Sequence, residues 1–541
     1  MIRLLLCAWI LLAAPWALAA TPTEEIMAQM LRERFEHLPA AKLGVTRIHN
    51  LQLDQAVTLF YARRDFAPAW LSDKNVAALL QEIADLYQDG LNPEDYRYTE
   101  LQNLYARVKS APEDANQRTE FDIAATSAYL RALSHLFRGK INPRTLSPHW
   151  NFAHNDMDSD QAMLLMSDAV NTDKIAWAFD FARPRQPLYQ QMQAGLAHLR
   201  GLAAQGGWPT LDTKTTLKPG MTDPVVAVLR KRLQFEGYLP AEQATGDAHH
   251  KYDEALTLAV QRFQREYFLD DDGEIGPATR SALNTPVQER IDQIRVNLER
   301  GRWTLQALNG TFVLVDVAGY RVSYYKDGKP TWQAAVQVGK PYRATPIFRS
   351  EITHVTFNPT WTIPPTILRK DVLPKLRKSL DYLRDNKVRV YDTKGRELDP
   401  TRIDWNSPGP VVLRQDAGPD GALGQVAIRF PNSHAVYLHD TPHKELFGKG
   451  QRAFSSGCIR VERPLELVEL LFNDPVNWNR AGIEAAIATA RTHNVNLPEP
   501  IPILLLYWTV DVRDDGHITF KPDIYQNDAP LLKALNRPIA G

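Results

Sequence analysis

From Thr21 to about Gly207 the apolar residues recur at helical spacing, three and four positions apart. In the run 76–87, Val76, Leu79, Leu80, Ile83 and Tyr87 fall on one face, and Ile123 to Leu133 repeats the period. The pattern predicts a mostly α-helical unit over 21–207. Its aromatic stretch, with Phe60, Tyr61, Phe66 and Trp70, reads as core packing, with a ligand groove as the alternative. Residues 222–284 form a shorter helical module with clear punctuation. Asp223 ahead of Pro224 caps a helix carrying Val226, Leu229 and Leu233. Asp253 starts a second helix with the stripe Leu256, Val260, Phe263 and Tyr267, and Gly276-Pro277 opens a third that ends near Leu283.

From about Gly301 the period changes to two. Thr311–Val317 and Arg321–Tyr325 are β-rich runs separated by Ala318-Gly319, and Lys326-Asp327-Gly328-Lys329 supplies the next turn. Near the end, Ile501–Val512 and His517–Phe520 flank Asp514-Asp515-Gly516, a hairpin signal. Between Pro364-Pro365 and Pro408 the β pattern is interrupted by Ile367–Asn386, a helical stretch rich in Lys and Arg. It is either a solvated face or a lid whose positive charge meets an acidic substrate. The fold class expected is multidomain α+β, helical first and strand-rich later.

A length of 541 residues suggests three or four domains. Lys+Arg and Asp+Glu each total 63, so the simplest case for a nucleic-acid partner is absent. Arg3, the apolar run Leu4–Ala14 and Ala17-Leu18-Ala19 read as a signal peptide over 1–19, cleaved after Ala19. The alternative is a retained leader acting as a membrane anchor. Of the two cysteines, Cys7 lies inside that leader, which leaves Cys458 alone in an oxidising compartment. A lone exported thiol has no disulfide partner in its chain, so reactivity is the expected reason for it.

Cys458 sits in Ala453-Phe454-Ser455-Ser456-Gly457-Cys458-Ile459-Arg460, nineteen positions after His439. A thiol of pKa ~8.5 is only a few per cent thiolate at neutral pH, so it needs a base, and His439 is the candidate. In the β-like run His434–His439, alternation puts Val436 and Leu438 on one face and Tyr437 with His439 on the other. Gly457 lets backbone approach a substrate carbonyl, and the Cys458 amide can donate to an oxyanion there. Asp440 should point away from His439, which makes a backbone carbonyl the expected orienter of the imidazole. A zinc site from His434, His439, His443 and Cys458 is the competing chemistry, but Pro442 and strand alternation oppose it. The acidic run Asp270–Gly273 reads as a turn, since the alternate-position ligands of a calcium loop are absent. Neither metal nor cofactor is expected.

Two resemblances attach to these motifs. Val260-Gln261-Arg262-Phe263-Gln264, Asp272-Gly273, Ile275-Gly276 and Thr279 resemble the three-helix peptidoglycan-binding domain, with a structural spacer as the alternative. Tyr437-Leu438-His439-Asp440-Thr441-Pro442 and Arg452 to Arg460 resemble the YkuD-type L,D-transpeptidase domain in its large, helical-domain-bearing branch. Asn358-Pro359-Thr360-Trp361 and Leu423-Gly424 agree. Many members carry His before the Gly-Cys pair and Asn two residues after the cysteine, where this chain has Ser456 and Arg460.

After the signal peptide read at 1–19, the resemblance implies a helical scaffold domain (21–207), a peptidoglycan-binding domain (222–284) and a catalytic domain (301–512). The catalytic domain would hold an inserted lid (365–408), and a hairpin and tail (513–541) would follow. It implies that Cys458 and His439 crosslink tetrapeptide stems, third residue to third residue, through a thioester with release of D-alanine. Tyr437, Ser456, Gly457 and Arg460 would hold the oxyanion and substrate, with a packed strand tyrosine as the alternative for Tyr437. Arg460 would either pair with a stem carboxylate or form a structural ion pair. Donor and acceptor stems and wall synthases are the partners implied, the location is periplasmic and close to the inner membrane, and carbapenems are the expected inhibitors. A cysteine hydrolase of wall peptides and a non-catalytic wall-binding scaffold are the alternatives.

Overall fold

The computed structural model describes residues 21–39, 52–152, 157–240, 247–513 and 515–539. The signal-peptide reading and Cys7 lie outside them. Among the described residues no helix is long and apolar enough to cross a membrane. The chain divides into two compact units.

The first unit takes in residues up to 87, 92–134 and 156–182. It is helical, as the periodicity predicts, with Leu53–Ala62, Asp73–Asp85, Tyr98–Ser110 and Ser159–Asn171 among its helices. Phe60, Tyr61, Phe66 and Trp70 are all buried, so the aromatic stretch is core. The Tyr61 hydroxyl donates to Asp122 at 2.6 Å, and that carboxylate also accepts the Ala69 and Trp70 amides. Tyr87 leaves the predicted stripe. Its helix stops at Asp85, two residues short, and the side chain is 52% exposed while Val76, Leu79 and Ile83 are buried.

The second unit comprises residues 88–91, 135–155 and 183 onward. The helical module lies in it as Val225–Phe235, Glu254–Glu266 and Pro277–Leu283. Asp253 caps the second helix by accepting the Leu256 amide at 2.9 Å, and Leu256, Val260, Phe263 and Tyr267 are buried as predicted. The run Asp270–Gly273 is a turn, in which Asp272 accepts from Gln264 and from the Glu274 amide.

Fourteen strands are described. They are β1 (Phe312–Asp316), β2 (Arg321–Lys326), β3 (Lys329–Gly339), β4 (Phe348–Phe357), β5 (Trp361–Thr362), β6 (Val388–Tyr391) and β7 (Val412–Gln415). Then follow β8 (Val426–Arg429), β9 (Leu438–His439), β10 (Ala453–Ser455), β11 (Ile459–Val461), β12 (His493–Leu506), β13 (Val510–Val512) and β14 (Ile518–Phe520). Nine of them run in the order β10-β3-β11-β9-β8-β4-β12-β1-β2, and pairing of β2 with β3 closes the sheet on itself. Val313, Val315, Val336, Val338, Val355, Leu438 and Ile459 fill the interior, all fully buried. Closure removes sheet edges and fixes register, because a one-residue slip would turn every one of these apolar side chains out.

The hairpin around Asp515-Gly516 forms as β13–β14 in a separate sheet, while β12 ends at Leu506 in the main one. The basic insert is part helix and part sheet. Short helical turns cover Pro365–Leu376 and Asp381–Asp385, and β5, β7 and β6 form a three-stranded sheet, so the compact insert spans 361–415 rather than 365–408. Its own core holds Ile363, Leu376, Val390, Trp405 and Leu413.

Candidate active site

β8, β9 and β11 lie side by side, and their register assembles the site. Ala427 stands opposite His439 and Ile428 opposite Leu438, which puts Arg429 beside Tyr437. On the other side Leu438 faces Ile459 and His439 faces Arg460, with the Ile459 amide donating to the Tyr437 carbonyl at 3.1 Å. Cys458 therefore stands next to Tyr437. By strand alternation Arg429, Tyr437, His439, Cys458 and Arg460 share one face, while Leu438 and Ile459 point into the core.

His439 is 4% exposed, and its Nδ1 donates to the Asp440 carbonyl at 2.5 Å. That bond fixes the tautomer and leaves Nε2 as an acceptor. Burial, and then the Arg460 cation, push its pKa down to about 3, so the imidazole rests neutral. The Asp440 carboxylate points away, accepting from the Gln425 amide at 2.9 Å and from Lys444. A backbone carbonyl is indeed the orienter.

Cys458 is the sole cysteine among the described residues, and it is unpaired. Burial raises its pKa, against hydrogen bonds from Tyr437 and the nearby Arg429 and Arg460 cations. The sulfur donates to the Ala435 carbonyl at 3.7 Å, and no hydrogen bond joins it to His439. Thiol and imidazole thus both rest neutral, the imidazole on β9 and the thiol on the residue just before β11.

Ala435 has φ of +55°, a left-handed conformation that breaks the predicted strand, so β9 begins only at Leu438. Asn432 holds it there. Its Oδ1 accepts the His434 and Val436 amides, at 3.0 and 3.1 Å, and its Nδ2 donates to the Phe430 and Val436 carbonyls. The Asn side chain substitutes for the missing ladder bonds and turns the Ala435 carbonyl onto the thiol.

The other residues singled out in the sequence lie close to Cys458 in the chain or pair with its neighbours. Gly457 has φ of +117°, open only to glycine; its amide donates to Ser455 Oγ at 3.0 Å and its carbonyl accepts from Thr345 at 2.8 Å. The Gly457 amide is thereby engaged within the turn. Ser456 is exposed, and its Oγ accepts from Arg343 at 2.8 Å. Arg460 donates to Gln337 at 3.1 Å, and its buried Nε has no partner. No carboxylate among the described residues pairs with it, so the structural ion pair is not formed.

Arg429 and Arg343 were not evident from spacing. Arg429 reaches the site only through the β8–β9 register, with its guanidinium carbon 3.9 Å from the Tyr437 ring centre. Arg343 arrives on the loop after β3.

Residues 310–476 match the family described as "L,D-transpeptidase catalytic domain". This segment is similar to the L,D-transpeptidase catalytic domain. Residues 222–283 match the "Putative peptidoglycan binding domain" and 55–196 the "Scaffold domain". A protein of Haemophilus influenzae named "Putative L,D-transpeptidase" is 34% identical over 253 residues, 46% of this chain and 51% of that protein. The chain thus spans about half the length of the curated relative it matches. An L,D-transpeptidase structure from Xylanimonas cellulosilytica is 15% identical over 54% of this chain and 98% of that one, with a TM-score of 0.18. One from Stackebrandtia nassauensis is 13% identical over 55% and 96%, with a TM-score of 0.21.

Proposed function

We propose that this L,D-transpeptidase joins peptidoglycan stem peptides, third residue to third residue, through a thioester on Cys458. The observation that carries the reading is the neutral Cys458–His439 pair on one sheet face, with the imidazole tautomer fixed by Asp440. Substrate entry turns the sulfur from the Ala435 carbonyl toward Nε2, which takes the thiol proton. The thiolate attacks the carbonyl between the third stem residue and the terminal D-alanine. The oxyanion accepts from the Cys458 amide and the Tyr437 hydroxyl, and the Arg429 and Arg460 cations offset its charge.

As the tetrahedral centre collapses, His439 protonates the departing D-alanine amine. The side-chain amine of a neighbouring stem then attacks the thioester and gives its proton to His439, and the thiol returns on release of the crosslinked product. No ATP is consumed, since the donor peptide bond already carries the energy. The wall-binding module would hold the strand, which places the chain in the exported cell-wall compartment.

Incubation with purified disaccharide tetrapeptides tests the acceptor. Crosslinked dimers with equimolar free D-alanine are expected; shortened monomers alone would make the enzyme a hydrolase, and no product at all would leave a wall-binding scaffold.

A further inference from the structure

The loop after β3 wraps the nucleophile turn. Lys340 donates its amide to the Ser455 carbonyl at 3.0 Å, and the Thr345 hydroxyl bridges the Gly339 amide and the Gly457 carbonyl. A Cβ on Gly339 would lie 2.1 Å from the Arg343 carbonyl, so the loop is packed backbone to backbone. Arg343 is thereby held at the mouth of the site, its side chain 17% exposed.

One guanidinium nitrogen of Arg343, Nη1, makes two contacts. It donates to Ser456 Oγ at 2.8 Å, two residues before Cys458, and to the carboxylate of Asp371 at 2.6 Å. Asp371 comes from the basic insert. It lies in Leu368–Val372, a turn wound to the wide π spacing, a local form enriched at functional sites. Exposed Arg369, Lys370, Lys375, Arg377 and Lys378 surround it in sequence, so a lone acid tethers a cationic segment to the catalytic loop.

A guanidinium this close to the nucleophile matches a peptide carboxylate in charge and fork geometry. The Asp371 side chain, 45% exposed, is free to leave for water. We propose that Arg343 binds a carboxylate of the donor peptide, and that Asp371 occupies the guanidinium until that carboxylate displaces it. The insert is then tethered in the empty enzyme and released by substrate. This rests on the transpeptidase reading above. The carboxylate is either that of the terminal D-alanine or the side-chain carboxylate of the third residue.

The test follows acylation of Cys458 by a stem tetrapeptide and by two analogues, one amidated at the D-alanine carboxylate and one at the third-residue side chain. Arg343→Gln should lower kcat/KM for the parent peptide about tenfold or more, chiefly through KM, and should add little to the loss shown by one of the analogues. That analogue identifies the carboxylate. Asp371→Asn, an exposed change that tests the same claim if Arg343→Gln does not fold, should lower KM severalfold for the parent and not for that analogue. Equal losses for the parent and both analogues in Arg343→Gln, or an unchanged or raised KM in Asp371→Asn, would overturn the inference while leaving the reaction intact. A wild-type enzyme that forms no adduct would overturn the reaction and this inference with it.

Discussion

Two of the clusters of buried ionisable groups in the second unit are built on opposite rules. In the first, helix Val287–Thr304 carries Glu299 and Arg302, both fully buried and 2.5 Å apart. Arg302 also donates to the Asp89 carbonyl at 2.9 Å and to the Tyr189 hydroxyl at 2.8 Å. Asp89 accepts from Arg183, Tyr189 and Gln193, and Glu299 accepts the Ile141 amide at 2.7 Å. No atom of this cluster is orphaned. In the second, the row on β8, β9 and β11, Arg460 Nε is buried without a partner, His439 rests neutral, and the Cys458 thiol leans on a strained alanine. Satisfied charges hold helices together; a buried thiol and imidazole that both rest neutral keep the capacity to exchange a proton. Burial alone therefore does not mark a site. Nor does incomplete pairing by itself, since the buried Arg290 Nε and Tyr320 hydroxyl lack partners as well; the second cluster is set apart by a thiol beside a neutral imidazole.

The contrast makes the two clusters separable by mutation. Cys458→Ala should abolish acylation, at least about a thousandfold, while changing unfolding free energy by less than about 1 kcal/mol, checked by adduct formation and denaturant melts. Glu299→Ala should do the reverse. It strands Arg302 in the interior and should cost about 3–5 kcal/mol of stability, with the acylation rate per folded molecule nearly unchanged. A catalytic loss with full stability there would break the comparison.

Asn432→Ala sharpens it within the site. Loss of the Asn clamp should destabilise by about 2 kcal/mol, and adding Ala435→Gly, which tolerates a left-handed conformation, should restore part of the acylation rate. A further effect concerns pH. His439 has a folded pKa of about 3 against 6.5 unfolded, so the unfolded chain binds the extra proton between those values. Stability is therefore complete above about pH 6.5 and falls on acidification toward pH 3, by at most about 1.4 kcal/mol per pH unit from this group. His439→Gln should flatten that part of the profile, and an unchanged slope would contradict a neutral buried imidazole.

Much of this was legible in the chain. The module stripes Leu256–Tyr267 and the inward Leu438 follow from period alone, because tertiary packing there agrees with local pattern. His439 and Cys458 were visible because chemistry restricts which residue types can stand at that spacing. What the pattern hid are groups joined by register rather than by sequence distance. Arg429 meets Tyr437 across β8 and β9, and Asp371 meets Arg343 from an insert. The break at Ala435 had a signal in the turn-forming cluster Pro431-Asn432-Ser433, which the apparent alternation of 434–439 masked.

The most direct test of the central claim is the intact mass of the protein after brief incubation with a stem tetrapeptide. An adduct equal to the peptide minus D-alanine is expected on the wild type and none on Cys458→Ala. An adduct that persists in Cys458→Ala, or a wild-type protein that stays unmodified while D-alanine is released from the first turnover, would contradict a thioester carried by this cysteine.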